Sequence, residues 1–241
     1  MNRKITAAGV ALLVALECAG AQTLPQFDVA SVKVNRDGGD KWNIATPDGG
    51  RFSATGISAR SLIMNAFSII RPQLSGGPAW IESERFDIEA RTAGPDQITH
   101  DQVGPLLQSL LADRFGLKYH RETREARGYS LVVAKGGPKL AKNTGHQIGI
   151  ETRRGQIKGY NEPLGALAHE LGMRFDDFIV DDTGVAGGFD FTLEWAYNDD
   201  LQSNLPSIFS ALQEQLGLKL VPRKGPIEFL VIDHIERPSE N

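Results

Sequence analysis

The chain has 241 residues, 41% of them hydrophobic and 23% charged, with a formal net charge of −4 and one cysteine. That acidic balance, without a basic stripe, excludes nucleic acid as a partner, because phosphates demand clustered Lys and Arg. A chain that uses no disulfide must be held by an apolar core, and this length is enough for two domains of about 100 residues or one fused pair.

The first residues set the compartment. Arg3-Lys4, the apolar run from Ile5 to Leu16 and Ala19-Gly20-Ala21 follow the charged, apolar and small-residue order of a secretory signal peptide, so residues 1–21 are expected to be cleaved off after Ala21. The apolar run is too short for a bilayer crossing, which asks for roughly 20 residues, so no stable membrane span is expected after cleavage. Cys18 invites a lipoprotein reading, but Glu17 stands where that signal needs a small residue. The expected location is periplasmic or secreted.

Phe27 to Val34 alternates and is rich in Val, which predicts a strand with one buried face. Asp37-Gly-Gly39 and Asp48-Gly-Gly50 are turns around a short strand from Trp42 to Ala45. Ser58 caps a helix with Leu62, Ile63, Ala66, Phe67 and Ile70 at helical spacing, ended by Pro72. Gly76-Gly-Pro78 is a turn, and Phe86 to Ala90 is a strand. Thr99 or Asp101 opens a helix whose buried side runs from Val103 to Phe115, before Gly116 stops it in a left-handed conformation. Leu117 to His120 and Tyr129 to Val133 read as a hairpin joined by the charged segment Arg121 to Arg127. Past a junction at Leu140 to Gly149, helices are expected near Pro163 to Gly172 and Pro206 to Leu216. Strands are expected near Phe189 to Trp195, Leu218 to Val221 and Glu228 to His234.

The two halves carry the same landmarks in the same order. Gly50-Arg-Phe52, Leu62-Ile63, Phe86-Asp87-Ile88 and Gly116-Leu-Lys118 are answered by Gly155-Gln-Ile157, Leu167-Ala168, Phe189-Asp190-Phe191 and Gly217-Leu-Lys219. Order, spacing and residue type recur together, which predicts an internal duplication with residues 22–139 as one unit and 140–241 as the other. Short, one-sided helices must pack on the face of a sheet. The expected class is therefore α+β: two tandem units, each a small, mostly antiparallel sheet carrying two helices.

Phe27-Asp-Val-Ala-Ser-Val-Lys33, Leu74-Ser-Gly-Gly-Pro-Ala-Trp80, Phe86 to Ala90, Leu110 to Thr123, Gly136-Gly-Pro-Lys-Leu140, Asp182-Thr-Gly184 and Val231 to Asn241 together resemble a soil-associated family of exported proteins. That family, abundant in Acidobacteria, carries a domain of unknown function, and the likeness spans essentially the whole mature chain. It implies no activity, since the family has none to lend. A similar domain is fused behind membrane-embedded metallopeptidases of the antibiotic-sensor type, which implies extracytoplasmic sensing or contact. This chain shows neither their membrane helices nor a His-Glu-x-x-His site, so no protease activity carries over. The units also resemble, by fold alone, the short N-terminal modules of secretins and TonB-dependent receptors, and a fold does not fix a function.

For chemistry, zinc needs three or four converging His, Cys or carboxylate ligands, and His100, His120, His146, His169 and His234 show no close ligand spacing. His169-Glu170 on a helix is half of a metalloprotease motif, but Met173, one turn on, does not ligate as a second His would. Asp176, Asp177, Asp181 and Asp182 lack the regular spacing of a Ca²⁺ loop and read as a solvated turn. Phe86-Asp87 and Phe189-Asp190 recur at one position of both halves. A structural role is preferred there over acid/base work, with the ring buried and the carboxylate accepting backbone N–H groups at a turn. There is no Gly-x-Ser-x-Gly elbow and no Gly-rich phosphate loop with its lysine. Gly76, Gly77 and Trp80 are the candidate partner-binding residues, because Trp is enriched at recognition hot spots; the competing role for Trp80 is to anchor its own loop in the core.

The residues thus predict a binding protein rather than an enzyme, with no catalytic residue, cofactor or metal site. It is expected to be an interaction or sensing module of the cell envelope whose partner is an envelope protein or a small ligand. The groove between two related units is a natural site for it. Two further readings stay open: a hydrolase of an envelope or extracellular substrate using His120, His234 and nearby carboxylates, and a small-ligand carrier with an apolar cavity between the units.

Overall fold

The computed structural model describes residues 24–36, 42–94, 96–142, 145, 148–197 and 204–238. The expected signal peptide with Cys18, the Asp37-Gly-Gly39 turn and His146 lie outside the described residues, as does the side chain of His100.

The Val-rich alternation forms β1 (Val29–Asn35), followed by β2 (Asn43–Ala45) and β3 (Arg51–Ser58). The Ser58 hydroxyl accepts the Ser61 N–H at 3.1 Å and so caps α1 (Ala59–Phe67). That helix stops at Ser68, left-handed at φ 50°, and not at Pro72, which belongs to a separate 3-10 turn, Arg71–Gln73. Then come β4 (Leu74–Gly76), α2 (Trp80–Ser83) and β5 (Arg85–Arg91). α3 (His100–Phe115) opens on a capping box in which the Thr99 N–H donates to Gln102 Oε1 at 2.9 Å, and it ends on Gly116 at φ 58°.

Residues 118–133 form one unbroken strand, β6 (Lys118–Val133), and not a hairpin joined at Arg121 to Arg127. The second half contributes β7 (Ala141–Lys142), β8 (Gly149–Arg153), β9 (Gln156–Glu162), α4 (Leu164–Phe175), β10 (Ile179–Asp181), β11 (Phe189–Glu194) and α5 (Ile208–Ala211). A π turn at Leu212–Leu216 then leads into β12 (Leu218–His234), also unbroken. β12 runs antiparallel to β6 along its whole length, from Leu218 opposite Val133 to His234 opposite Lys118. The physical reason is that residues 121–127 hold no Gly, Pro, Asn or Asp to turn the chain. Their charges find partners across the ribbon instead, as in the ion pair of Arg121 with Glu228.

Three four-stranded sheets result, and the class is α+β. Two are antiparallel throughout, in the orders β1-β5-β3-β2 and β7-β11-β9-β8. The third, β10-β6-β12-β4, places the short outer strands parallel to their long neighbours. Each antiparallel sheet is bulged where a residue turns left-handed, Gly56 at φ 64° and Asn161 at φ 53°. Their N–H groups donate to Asp87 Oδ1 at 2.8 Å and to Asp190 Oδ1 at 2.9 Å. The two Phe-Asp carboxylates therefore do structural work, and Phe86 is fully buried while Phe189 is half-buried.

The apolar side chains gather in two cores, one around Phe52, Phe86 and Phe115, the other around Leu164, Leu171 and Leu216. Neither core is built from one half of the chain alone. Leu230, Ile232 and Ile235 belong to the first, and Leu131 belongs to the second, because the β6–β12 ribbon carries each half's last strand to the other.

Candidate functional site

α1 buries Leu62, Ile63 and Ala66, and α4 buries Leu164, Leu167, Ala168 and Leu171. The helical period then leaves Met64 and Asn65 of α1, and His169, Glu170 and Met173 of α4, beside the fully buried stripes, with Met64 half-buried against the first core. These side chains line one groove of about 490 Å³, whose walls are completed by Ile44 and Ala45 of β2 and by Gly149 and Ile150 of β8. Both of those strands are edges of their sheets. His169 also borders a second cavity of about 280 Å³ together with Ile70, Gln73, Asp181 and Ile227.

His169 is half-buried, and its imidazole makes no hydrogen bond to any described residue. Burial pushes its pKa below the ordinary histidine value, so the ring is neutral near pH 7. Among the described residues, no lysine or arginine lines the groove, whereas Glu162 and Glu170 do.

His120 lies in an exposed cluster on the ribbon. Its Nδ1 is 2.8 Å from Asp233 Oδ1 and its Nε2 is 3.0 Å from Glu122 Oε1. Glu122 in turn pairs with Arg124 at 2.6 Å. His234 meets a different carboxylate, Glu236, at 2.7 Å. The hydrogen bonds to Glu122 and then to Asp233 raise the His120 pKa. Since the folded value lies above the unfolded one of about 6.5, this stabilisation is fully present below that pH and is lost as pH rises through the folded pKa. In an NMR titration the His120 ring is expected to show a midpoint above about 6.5, and Glu122→Gln should lower it further than Asp233→Asn. A parent midpoint at the free-histidine value would contradict the cluster.

Of the residues expected to bind a partner, Gly76 and Gly77 present exposed backbone, but the Trp80 ring does not. Trp80 is 8% exposed, packs edge-on to Phe86 with centroids 6.2 Å apart, and is covered by the Arg237 guanidinium at 5.3 Å. Glu84 holds that arginine at 2.7 Å. A Cβ on Gly76 would stand 2.8 Å from the Ile232 carbonyl oxygen, so glycine there serves the pairing of β4 with β12.

The acidic residues after α4 act locally. Asp176 closes the helix at φ 50°, Asp177 Oδ1 accepts the Phe178 N–H at 2.8 Å, and Asp181 Oδ1 accepts the Thr183 N–H at 3.0 Å. Asp182 is taken up by Ser130 and Arg223. Among the described residues, no three or more His, Cys, Asp or Glu side chains gather to hold a metal ion.

A family profile described as a protein of unknown function, DUF3738, matches residues 60–235. The chain belongs to the DUF3738 family. No curated protein and no solved structure matches it. The DUF3738 match runs from α1 through β12, so it takes in both helices that border the groove. The family's molecular function is unknown, and the groove has to be read from its own chemistry. Among the described residues, no helix is long and apolar enough to cross a membrane.

Periodicity alone singles out neither Met64 nor Met173. The sequence signal that points to them is composition: with Met1 they are the only methionines, and both line the one groove.

Proposed function

We propose that this DUF3738 chain is an exported, non-catalytic binding module of the cell envelope, built of two related units, and that its ligand sits in the groove between α1 and α4. The observation that carries this is the groove itself. It is ligand-sized, lies where the two halves meet, and combines apolar walls with a few polar groups, which is the ordinary make-up of a binding site.

The duplication is supported by topology and by chemistry. Both antiparallel sheets place their first strand beside the fourth, then the third, then the second. Both also tie a left-handed bulge residue to the carboxylate of a Phe-Asp pair. Export is supported by the signal-peptide pattern of residues 1–21. Against catalysis stands the geometry of His120, whose two ring nitrogens are both taken by carboxylates, leaving neither to accept a substrate proton.

The processed chain, residues 22–241, carries its own reporters, because Met64 and Met173 supply its two methionine methyl signals in NMR. Titration with fractions of an envelope extract is expected to move both signals with at least one fraction. Ala166→Trp, which fills the groove, should abolish that response. Signals that no fraction moves, or that move equally in the tryptophan variant, would overturn the groove as the site.

A further inference from the structure

We propose that a hollow beside the middle of the β6–β12 ribbon binds a phosphomonoester, its phosphate held by Arg127 and Lys224 and its organic part resting on Tyr129 and Pro222. These four residues, with Asp177 and Arg223, border a depression of about 430 Å³ that shares no lining residue with the groove between α1 and α4. The site therefore stands apart from that groove and does not depend on it.

The register of the ribbon sets two cations against each other. Arg127 is the direct cross-strand partner of Lys224, and Tyr129 that of Pro222, so the four side chains leave one face of the ribbon. Like charges in directly opposite positions repel, and among the described residues neither Arg127 nor Lys224 has an ion pair or a side-chain hydrogen bond. Farther along the ribbon Arg121 is answered by Glu228 and Arg124 by Glu122. Arg223 adds a third positive charge, met by Asp182 only at 3.5 Å. Asp177 is the one carboxylate bordering the hollow among the described residues, and its Oδ1 accepts the Phe178 N–H at 2.8 Å; Glu125, on the face of Arg127, does not border it. In a chain of net charge −4, this is a place where an anion finds an excess of positive charge.

The two cations select the anion. A guanidinium offers a planar fork of donors that matches phosphate oxygens in pairs, and an ammonium beside it adds a compact charge. A phosphomonoester carries about −1.5 to −2 charges near pH 7 and three acceptor oxygens, which serves both, whereas a carboxylate brings a single charge. The organic part has its own surface. Tyr129 is half-buried and its ring packs edge-on to Phe209, with centroids 6.1 Å apart, so it stands as a fixed wall. Phe209 is itself 46% exposed and extends that apolar surface.

The test titrates residues 22–241 with phenyl phosphate, read by calorimetry and by NMR of the Tyr129 ring and the Arg127 guanidinium. One equivalent is expected to bind per chain and to shift both sets of signals, with inorganic phosphate and benzoate each binding more weakly. Arg127→Gln and Lys224→Gln should each weaken phenyl phosphate roughly tenfold or more, the scale of one lost hydrogen bond to a charged group. Both positions are exposed and each variant removes the opposition of like charges, so thermal unfolding is expected at or slightly above the temperature of the parent. Ala166→Trp should bind phenyl phosphate as the parent does. Co-sedimentation with vesicles of phosphatidic acid in phosphatidylcholine separates the two sources of the phosphate. Capture that is lost in both glutamine variants assigns a lipid headgroup, and phenyl phosphate binding without capture assigns a soluble phosphomonoester.

No saturable binding, affinity unchanged in the glutamine variants, inorganic phosphate or benzoate bound as tightly as phenyl phosphate, or a complex that leaves the Tyr129 signals unmoved would each overturn the proposal. So would vesicle capture that both variants retain, or loss of binding in Ala166→Trp. Unfolding of both variants well below the parent would also overturn it, because the opposed pair would then be supporting the ribbon.

Discussion

Residues 22–139 produced alone are expected to show no cooperative unfolding transition as a monomer, and mixing them with residues 140–241 is expected to restore one. The first core includes Leu230, Ile232 and Ile235 from the far end of the chain, exposed by only 3%, 6% and 8%. Burying such a side chain contributes about 1.5–3 kcal/mol, so removing three forfeits roughly 5–9 kcal/mol. A whole domain is stable by only about 5–15 kcal/mol. The fragment would also leave the 16-residue β6 without the partner that faces it along its length. Circular dichroism against temperature on each fragment and on the mixture decides the matter. A sharp transition from the isolated monomeric first half would show that its core closes without β12.

Gly217→Ala is expected to destabilise far more than Gly116→Ala, although the two glycines end helical segments in comparable left-handed conformations, at φ 65° and 58°. Both substitutions force an L side chain into that region, which costs about 1–2 kcal/mol. At Gly116 the new Cβ meets nothing nearer than the Glu236 and His234 side chains at 3.9 Å, so strain is the whole effect. At Gly217 it would stand 2.1 Å from the Gly137 carbonyl oxygen, in a loop fastened by the Ala134 N–H to Gly217 O bond at 2.8 Å and the Lys139 N–H to Leu216 O bond at 2.8 Å. Backbone so tied cannot swing away as a side chain does. Adding an overpacking cost of about 1–3 kcal/mol brings the expected loss at Gly217 to roughly 2–5 kcal/mol. Chemical denaturation of both variants measures the gap. Equal losses would mean that the 134–139 loop yields freely.

The elements legible in the sequence are those whose cause is local. The helix start at Thr99, the Gly116 stop, the buried stripe of α4 and the role of the Phe-Asp carboxylates each depend on residues that read directly, and the structure shows each of them. β4 and β10, three residues each, carry too little pattern to declare themselves and exist because a distant strand accepts them. The charged stretch Arg121 to Arg127 illustrates the opposite error. Its polarity suggests a loop, but a two-sided, solvated ribbon also tolerates charge when each residue has a cross-strand partner. Trp80 is ambiguous for a similar reason: a tryptophan after a Gly-Gly-Pro turn suits a hot spot or a core anchor, and only the cover supplied by Arg237 shows that the ring is enclosed.

The candidate site divides the same way. His169 stands out in the sequence by its place beside Glu170 on a helix, whereas Met64, a hundred residues earlier, joins it only through the packing of the two halves. What the sequence determined by itself is which face of α1 and α4 is apolar, where α1 starts and α3 stops, and which carboxylates serve turns, because those effects act within a few residues. What only the tertiary structure decided is which partner covers each face: the pairing of β6 with β12, the shared cores and the groove lined by α1 and α4. Burial is non-directional, so an apolar stripe states that it must be covered without stating by what.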